Sequence, residues 1–266
     1  MRELSQHIST MLNTGRHIVE NNPLLTKEIG TTNTKGDRTI EMDVKLESAF
    51  LDYLKVHNLP VWIYSEEIGM VREHPNPEFL AVFDPLDGST NYKLGHGILS
   101  FGSLIAFYKG TNPQLQDVVA AGAIEYTTNR LFLFEEGRTV DEAGENVLLR
   151  QDWELDKNTP VYLETYGEGY EYYREIGNKL FVKNQGALVS SLLYLLNNAS
   201  AAMGGIAVKS EEIGAIYALV KGAGGAVQDS KGEAIDELKV DHSRKYDILA
   251  GAPVIVSSLI DTLQKQ

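Results

Sequence analysis

The apolar positions change period along the chain, and each change marks an element. The opening stretch MRELSQHISTMLNTGRHIV spaces its apolar groups at helical intervals, which predicts an amphipathic helix ended by Asn22-Pro23. After the polar segment GTTNTKGDRT at 30–39, a second helical pattern runs through MDVKLESAFLDYLKVH at 42–57. Runs of strand type follow: VWIYS at 61–65, FLAVFDP at 79–85 with the strand ending at Asp84, ILSFGSLIAFYKG at 98–110, DVVAAGAIEYTT at 117–128 and RLFLFEEG at 130–137. The polar stretch RTVDEAGENV at 138–147 closes this part. A helix pair laid against a mostly antiparallel sheet is expected.

Beyond Leu148 strands and helices alternate. VYLETYG at 161–167 predicts a strand and EGYEYYREIGNKL at 168–180 a helix. ALVSSLLYLLNNASAAMG at 187–204 predicts the longest apolar helix of the chain, and EEIGAIYALVKGAGG at 211–225 a further helix closed by its Gly pair. AVQDSKGE at 226–233 and APVIVSS at 252–258 are expected as later strand pieces. The fold class is therefore α+β, with a layered α/β unit in the second part. Two tightly packed halves are expected, 1–147 and 148–266, since no repeat, low-complexity segment or Pro-rich linker intervenes.

Composition narrows the function classes. Cysteine is absent, so disulfides, thiolate metal sites and cysteine nucleophiles are excluded. No segment approaches the roughly 18 consecutive apolar residues of a membrane span, and the first helix lacks a signal-peptide h-region, so a cytoplasmic protein without membrane partners is expected. With 24 basic against 37 acidic residues the net charge is −13, which argues against nucleic-acid binding. A phosphorylated substrate is repelled as well, unless bound cations reverse the local sign.

The chemistry concentrates in FLAVFDPLDGSTNY at 79–92. Asp84 and Asp87 emerge together at a strand end, close enough to share a divalent cation, with the Leu86 carbonyl as a further ligand. Gly88 frees the backbone, and Ser89, Thr90 and Asn91 are capping residues whose backbone N–H groups suit a phosphate. An isolated Asp-Pro-x-Asp-Gly is most often an acidic turn. Here, however, Glu66 and Glu67 end another apolar strand, Asp37 and Asp43 flank a helix start, and Glu211 and Glu212 head a third helix. Together they supply the hard oxygen ligands that Mg²⁺ requires.

FDPLDGSTNY, preceded by SEE and followed far downstream by a helix ending in AGG, resembles the magnesium-dependent, lithium-sensitive phosphatases, the superfamily of inositol monophosphatases and fructose-1,6-bisphosphatases. The resemblance spans roughly 35–232. It implies a layered α-β-α-β-α sandwich, a homodimer, and two or three Mg²⁺ ions, with Mn²⁺ as a substitute, that activate water for attack on a phosphate monoester. Carried over by position, it implies Glu66, Asp84, the Leu86 carbonyl, Asp87 and Glu212 as metal ligands, with Glu67 supporting a further ion or the water and Asp37 a third metal. It implies Gly88 and Ser89 as the phosphate cradle and the Ser89 hydroxyl, partnered by Asp43, as the group that orients the water.

SEEIGAIYALVKGAGG departs from the Trp-Asp-x-Ala-Ala-Gly signature of inositol monophosphatases: Glu212 stands at the Asp position and Glu211 at the Trp. GDRTIEMDV and the Glu ligand resemble the fructose-1,6-bisphosphatase version. Gly205 falls where an inositol-binding acid sits in the former group. GEGY at 167–170 resembles a sugar-phosphate loop of the latter, making Tyr170 and Lys183 candidates for a second phosphate; an aromatic core patch and a surface lysine are the plainer roles. The expected substrate is a small sugar or polyol phosphate, such as fructose 1,6-bisphosphate or inositol 1-phosphate. Two alternatives stand beside it, a 3′-phosphoadenosine nucleotide phosphatase and a catalytically weak member that acts as a binding protein. The six histidines are scattered without ligand spacing.

Overall fold

The computed structural model describes residues 2–33, 36, 38–95, 98–164 and 168–264. The first part of the chain runs α1 (Arg2–Asn21), β1 (Glu28–Thr32), β2 (Arg38–Ile40), α2 (Glu41–Val56), β3 (Val61–Ser65), β4 (Gly69–Val71), β5 (Phe79–Asp87), α3 (Ser89–Gly95), β6 (Gly102–Lys109), β7 (Val118–Glu125), β8 (Arg130–Glu135) and β9 (Arg138–Asp141). Strands β3 to β9 form a seven-stranded sheet in the order β4-β3-β5-β6-β7-β8-β9. Every neighbouring pair is antiparallel except β3 with β5. Two expectations need correction here. The polar segment at 30–39 contributes to a small β1–β2 hairpin, and RTVDEAGENV begins with the edge strand β9, whose Thr139 hydroxyl donates to the Leu219 carbonyl.

The second part runs β10 (Pro160–Glu164), α4 (Glu168–Lys179), β11 (Phe181–Lys183), α5 (Leu188–Leu196), β12 (Ala202–Val208), α6 (Ser210–Gly222), β13 (Ala226–Gln228), β14 (Tyr246–Gly251) and α7 (Pro253–Gln264). Its five-stranded sheet has the order β11-β10-β12-β14-β13, parallel around β10 and antiparallel around β14. The apolar run at 187–204 is not one helix. It breaks at Asn197 and Asn198, the latter at φ 55°, a left-handed conformation that Asn tolerates, and resumes as β12. The run at 252–258 is helical rather than a strand. Pro253 opens α7, and Ile255, Val256, Leu259, Ile260 and Leu263 bury one face at helical spacing.

The layers follow from which faces are apolar. Helix α1 buries the stripe Ser5, Ile8, Met11, Leu12 and Gly15, and α1 and α2 cover one face of the large sheet. Helices α5 and α6 are buried almost all round, as helices caught between two sheets must be, and they fill the space between the large and small sheets. Helices α4 and α7 close the far face of the small sheet. The result is an α-β-α-β-α sandwich with a core in each of its gaps.

Candidate active site

The Asp84-Pro85-Leu86-Asp87 segment belongs to β5 to its end; the strand does not stop at Asp84. Asp84 faces Leu104 and Asp87 faces Gly102, so three steps along β5 oppose two along β6. In a regular strand residues three apart point to opposite faces; one extra residue in a bulge restores both to the same face. Pro85 sits within that bulge, where a missing N–H disturbs no regular ladder, and its carbonyl accepts a hydrogen bond from the Ser103 hydroxyl at 2.6 Å. Gly102 permits the close approach, because a Cβ there would lie 1.9 Å from the Ile124 carbonyl oxygen. Since β3 runs parallel to β5 with Ser65 opposite Phe83, Glu66 leaves the sheet beside Asp84.

Glu212 arrives from the other side. It occupies the third position of α6, where its Oε2 accepts the Lys209 backbone N–H at 2.8 Å, a cap that fixes the carboxylate at the helix start. One oxygen each of Asp84, Asp87 and Glu212 lies within 4.8 Å of the others, and all three residues are buried. Each is tethered through a single oxygen: Asp84 Oδ1 accepts from Leu86 N at 2.9 Å, and Asp87 Oδ2 from Val189 N at 2.5 Å. Among the described residues the second oxygen of each carboxylate has no hydrogen-bond partner. Three preset hard oxygens without a donor fit a divalent cation.

Glu66 is held differently. Its Oε1 accepts from Lys209 Nζ at 2.5 Å and from Asn33 Nδ2 at 2.8 Å. Helix α2 adds Asp43 and Glu47, four apart on one buried face. Asp43 Oδ2 accepts the Ile40 N–H at 2.7 Å; Glu47 takes the Ser65 hydroxyl and the Ile68 N–H. Thr39 donates to Glu67 Oε2 at 2.6 Å. Asp43 and Ser89 line the same cleft, but no hydrogen bond joins them.

The cleft, of about 720 Å³, runs from this acidic floor past Leu86, Gly88, Ser89 and Thr90 to a mouth where Arg38 and Lys93 share Glu28. Gly88 has φ 84°, and a Cβ there would sit 2.8 Å from Ala187 Cβ. Asn91 bridges rather than caps, donating to the carbonyls of Ser100 at 2.8 Å and Gln185 at 2.7 Å. Glu164, at the end of β10, gathers Gly186 N at 3.0 Å, Gln185 N at 3.3 Å and the Ser191 hydroxyl at 2.7 Å. It thereby seats the head of α5, which in turn presents Val189 N to Asp87.

Crowded carboxylates out of water resist ionisation. Burial pushes Glu212 up to about 8, with the Asp87 charge adding to it. Burial likewise raises Asp87 to about 7 despite the Val189 N–H. Asp84 lies well above the usual carboxylate range through burial and the charges of Glu66 and Asp87. Asp43 rises to about 8 and Glu67 to about 7, burial again leading. For Lys209 burial works against the charge, but Glu66, Glu212 and Asp84 outweigh it and hold the ammonium well above its ordinary value. A bound cation would relieve all of these carboxylates at once.

Of the remaining candidates, Asp37 and the Tyr170 side chain lie outside the described residues. Lys183 sits on the exposed strand β11, 5.1 Å over the Phe181 ring, and does not itself line the cleft, although its neighbour Asn184 does. Tyr173 is a core residue whose hydroxyl donates to the Ile248 carbonyl at 3.1 Å. Glu211 is wholly buried and accepts from Tyr64 and Ser210 rather than facing the cleft. Gly205 lines the cleft. Sequence reasoning missed Lys209, Thr39, Asn33 and Glu164. Only Lys209, next to the helix that carries Glu212, gave a local signal.

The five-layer sandwich with its carboxylate cluster at a bulged strand end has counterparts among proteins named as phosphatases. The sequence is 27% identical over 220 residues to a fructose-1,6-bisphosphatase of Pyrococcus furiosus, covering 81% of this chain and 79% of the relative. It is 28% identical over 248 residues to a fructose-1,6-bisphosphatase/inositol-1-monophosphatase of Thermococcus kodakarensis, covering 91% and 90%. The fold matches the extragenic suppressor protein suhB of Bartonella henselae with a TM-score of 0.82 at 19% identity, over 99% of both chains. It also matches an inositol monophosphatase of Anabaena with a TM-score of 0.78 at 18% identity, over 99% and 96%. No protein-family model matches the sequence. The chain is similar in sequence to fructose-1,6-bisphosphatases and in fold to inositol monophosphatases, relatives that indicate a phosphatase.

Proposed function

We propose that this phosphatase is Mg²⁺-dependent, with Mn²⁺ as a substitute, and hydrolyses a phosphate monoester of a small sugar or polyol, such as fructose 1,6-bisphosphate or inositol 1-phosphate. The observation that carries this is the meeting of Asp84, Asp87 and Glu212, each with an oxygen to spare, beside Gly88 and Ser89 in one cleft. A divalent cation held by Asp84, Asp87 and Glu212 would neutralise charge on the transferring phosphoryl group and activate a water. The chain's own groups do the rest. Backbone N–H groups at Gly88, Ser89 and Thr90 receive the phosphate oxygens, since the first turn of a helix leaves them unpaired within it. Glu66, Glu67 and the Leu86 carbonyl complete the acidic wall. Asp43 and the Ser89 hydroxyl take the proton side of the reaction and orient the water.

The two halves divide the work: 1–147 supplies most of the metal ligands, and 148–266 supplies Glu212 and completes the substrate pocket. The test is phosphate release from fructose 1,6-bisphosphate, inositol 1-phosphate and a 3′-phosphoadenosine nucleotide. Turnover of at least one of the first two with Mg²⁺, abolished by chelator, is expected; release from neither, or release indifferent to chelator, contradicts it. We also place the enzyme in the cytoplasm as a homodimer of 29.4 kDa chains. Light scattering that gives one chain's mass would refute the dimer.

A further inference from the structure

A lysine has no evident place among ligands for divalent ions, yet Lys209 lies on the wall of the acidic cleft. Its side chain is 26% exposed, and its ammonium contacts Glu66 Oε1 at 2.5 Å. The same oxygen receives Asn33 Nδ2 at 2.8 Å, so this Glu66 oxygen carries two N–H donors. Among the described residues the three-carboxylate seat is made by Asp84, Asp87 and Glu212; Glu66 is not part of it. Lys209 is also fixed at its root. Its backbone N–H donates to Glu212 Oε2 at 2.8 Å, so the residue that places the ammonium at Glu66 also braces the carboxylate across the seat. Nothing about this position follows from the needs of the fold, since a helix start can be capped without a buried cation.

Resting on the metal-dependent reading above, we propose that Lys209 is a tethered cation that fills the Glu66 seat, leaving one tight divalent-ion site per chain, at Asp84, Asp87 and Glu212. An ammonium is a compact point charge with three donors and no demand for octahedral geometry. It neutralises Glu66 and offers a donor to an anionic oxygen in the cleft, as a second divalent ion there would. It does so permanently, at any concentration of free metal. The consequence is a phosphatase whose charge compensation is partly built into the chain, and whose metal requirement is below the two or three ions that the resemblance implies.

Electron paramagnetic resonance and calorimetry with Mn²⁺ alone decide the matter without reference to turnover. The wild type is expected to bind one Mn²⁺ per chain with the spectrum of an isolated ion. Lys209→Met is expected to bind two, with the broadening of a close pair, and Lys209→Arg, which keeps the charge, to bind one. A coupled pair in the wild type overturns the proposal even if Lys209→Met fails to fold, because the ammonium would then be displaced by metal. One ion in both wild type and a folded Lys209→Met overturns it too. No Mn²⁺ binding in any variant would instead remove the metal-dependent function itself, and this proposal with it.

Discussion

Asp87 shows how much a single side chain carries here. One oxygen is spent on Val189 N, 102 residues away, and the other faces the cation seat, so the residue joins β5 to α5 and contributes charge at the same time. Asp87→Asn should keep the fold, because an amide oxygen still accepts that N–H, while removing the ligand charge. Phosphate release is expected to fall by more than about 10²-fold, since even the partners of metal ligands cost roughly 10–100-fold when lost. An assay beside far-UV circular dichroism checks both halves of the statement, and activity within about tenfold of wild type would refute the assignment. This residue was legible from Asp-Pro-Leu-Asp-Gly because its chemistry is local. Lys209, Asn33 and Glu164 were not, because their partners lie far along the chain and only the packed sheets bring them together. The Ser89 and Asp43 pairing implied by resemblance is not made as a hydrogen bond; nearby, the Thr39 hydroxyl donates to Glu67.

At the scale of elements, the bulge in β5 is the device on which the site depends. It turns Asp84 and Asp87 to one side, and it needs β6 to pass close to β7 at Gly102. A side chain at Gly102 has nowhere to go, because the obstacle is the Ile124 carbonyl rather than a movable side chain. Gly102→Ala is expected to cost about 3 kcal/mol or more, toward or beyond the upper end of ordinary overpacking. Urea denaturation checks it, and a change under about 1 kcal/mol would show that the strands can part at small cost. Most helices and long strands were readable, since α1 and α2 bury helical stripes and β3 and β5 to β8 are apolar runs. The failures share a cause. The β1–β2 hairpin and β9 lie at polar edges and carry no apolar alternation. The run at 187–204 is apolar throughout, so only the Asn pair marks where α5 gives way to β12. The segment at 252–258 is rich in β-branched residues, and its helical period emerges only when Leu259, Ile260 and Leu263 are included.

For the whole molecule, two sheets and two buried helices press acids into a space with little water. Asp43, Glu67, Asp87 and Glu212 then titrate at about 7 to 8 in the metal-free fold, against roughly 4 when unfolded. Between those values the folded state binds more protons than the unfolded one, so stability falls as pH rises. Thermal melts in chelator should therefore show the midpoint dropping from about pH 5 to about pH 8 on this account. Saturating Mg²⁺ should flatten the slope, because binding a cation to the ionised cluster favours the folded state most where the acids have lost their protons. A metal-free protein that grows more stable over that range would contradict the electrostatics.

The central claim is that acids from β5 and α6, separated by more than a hundred residues in the sequence, converge to grip a divalent cation. A crystal grown with Mn²⁺ and examined for anomalous scattering tests it most directly. A peak bonded jointly to Asp84, Asp87 and Glu212 is predicted. Strong manganese peaks elsewhere on the protein, with none among these three carboxylates, would contradict it.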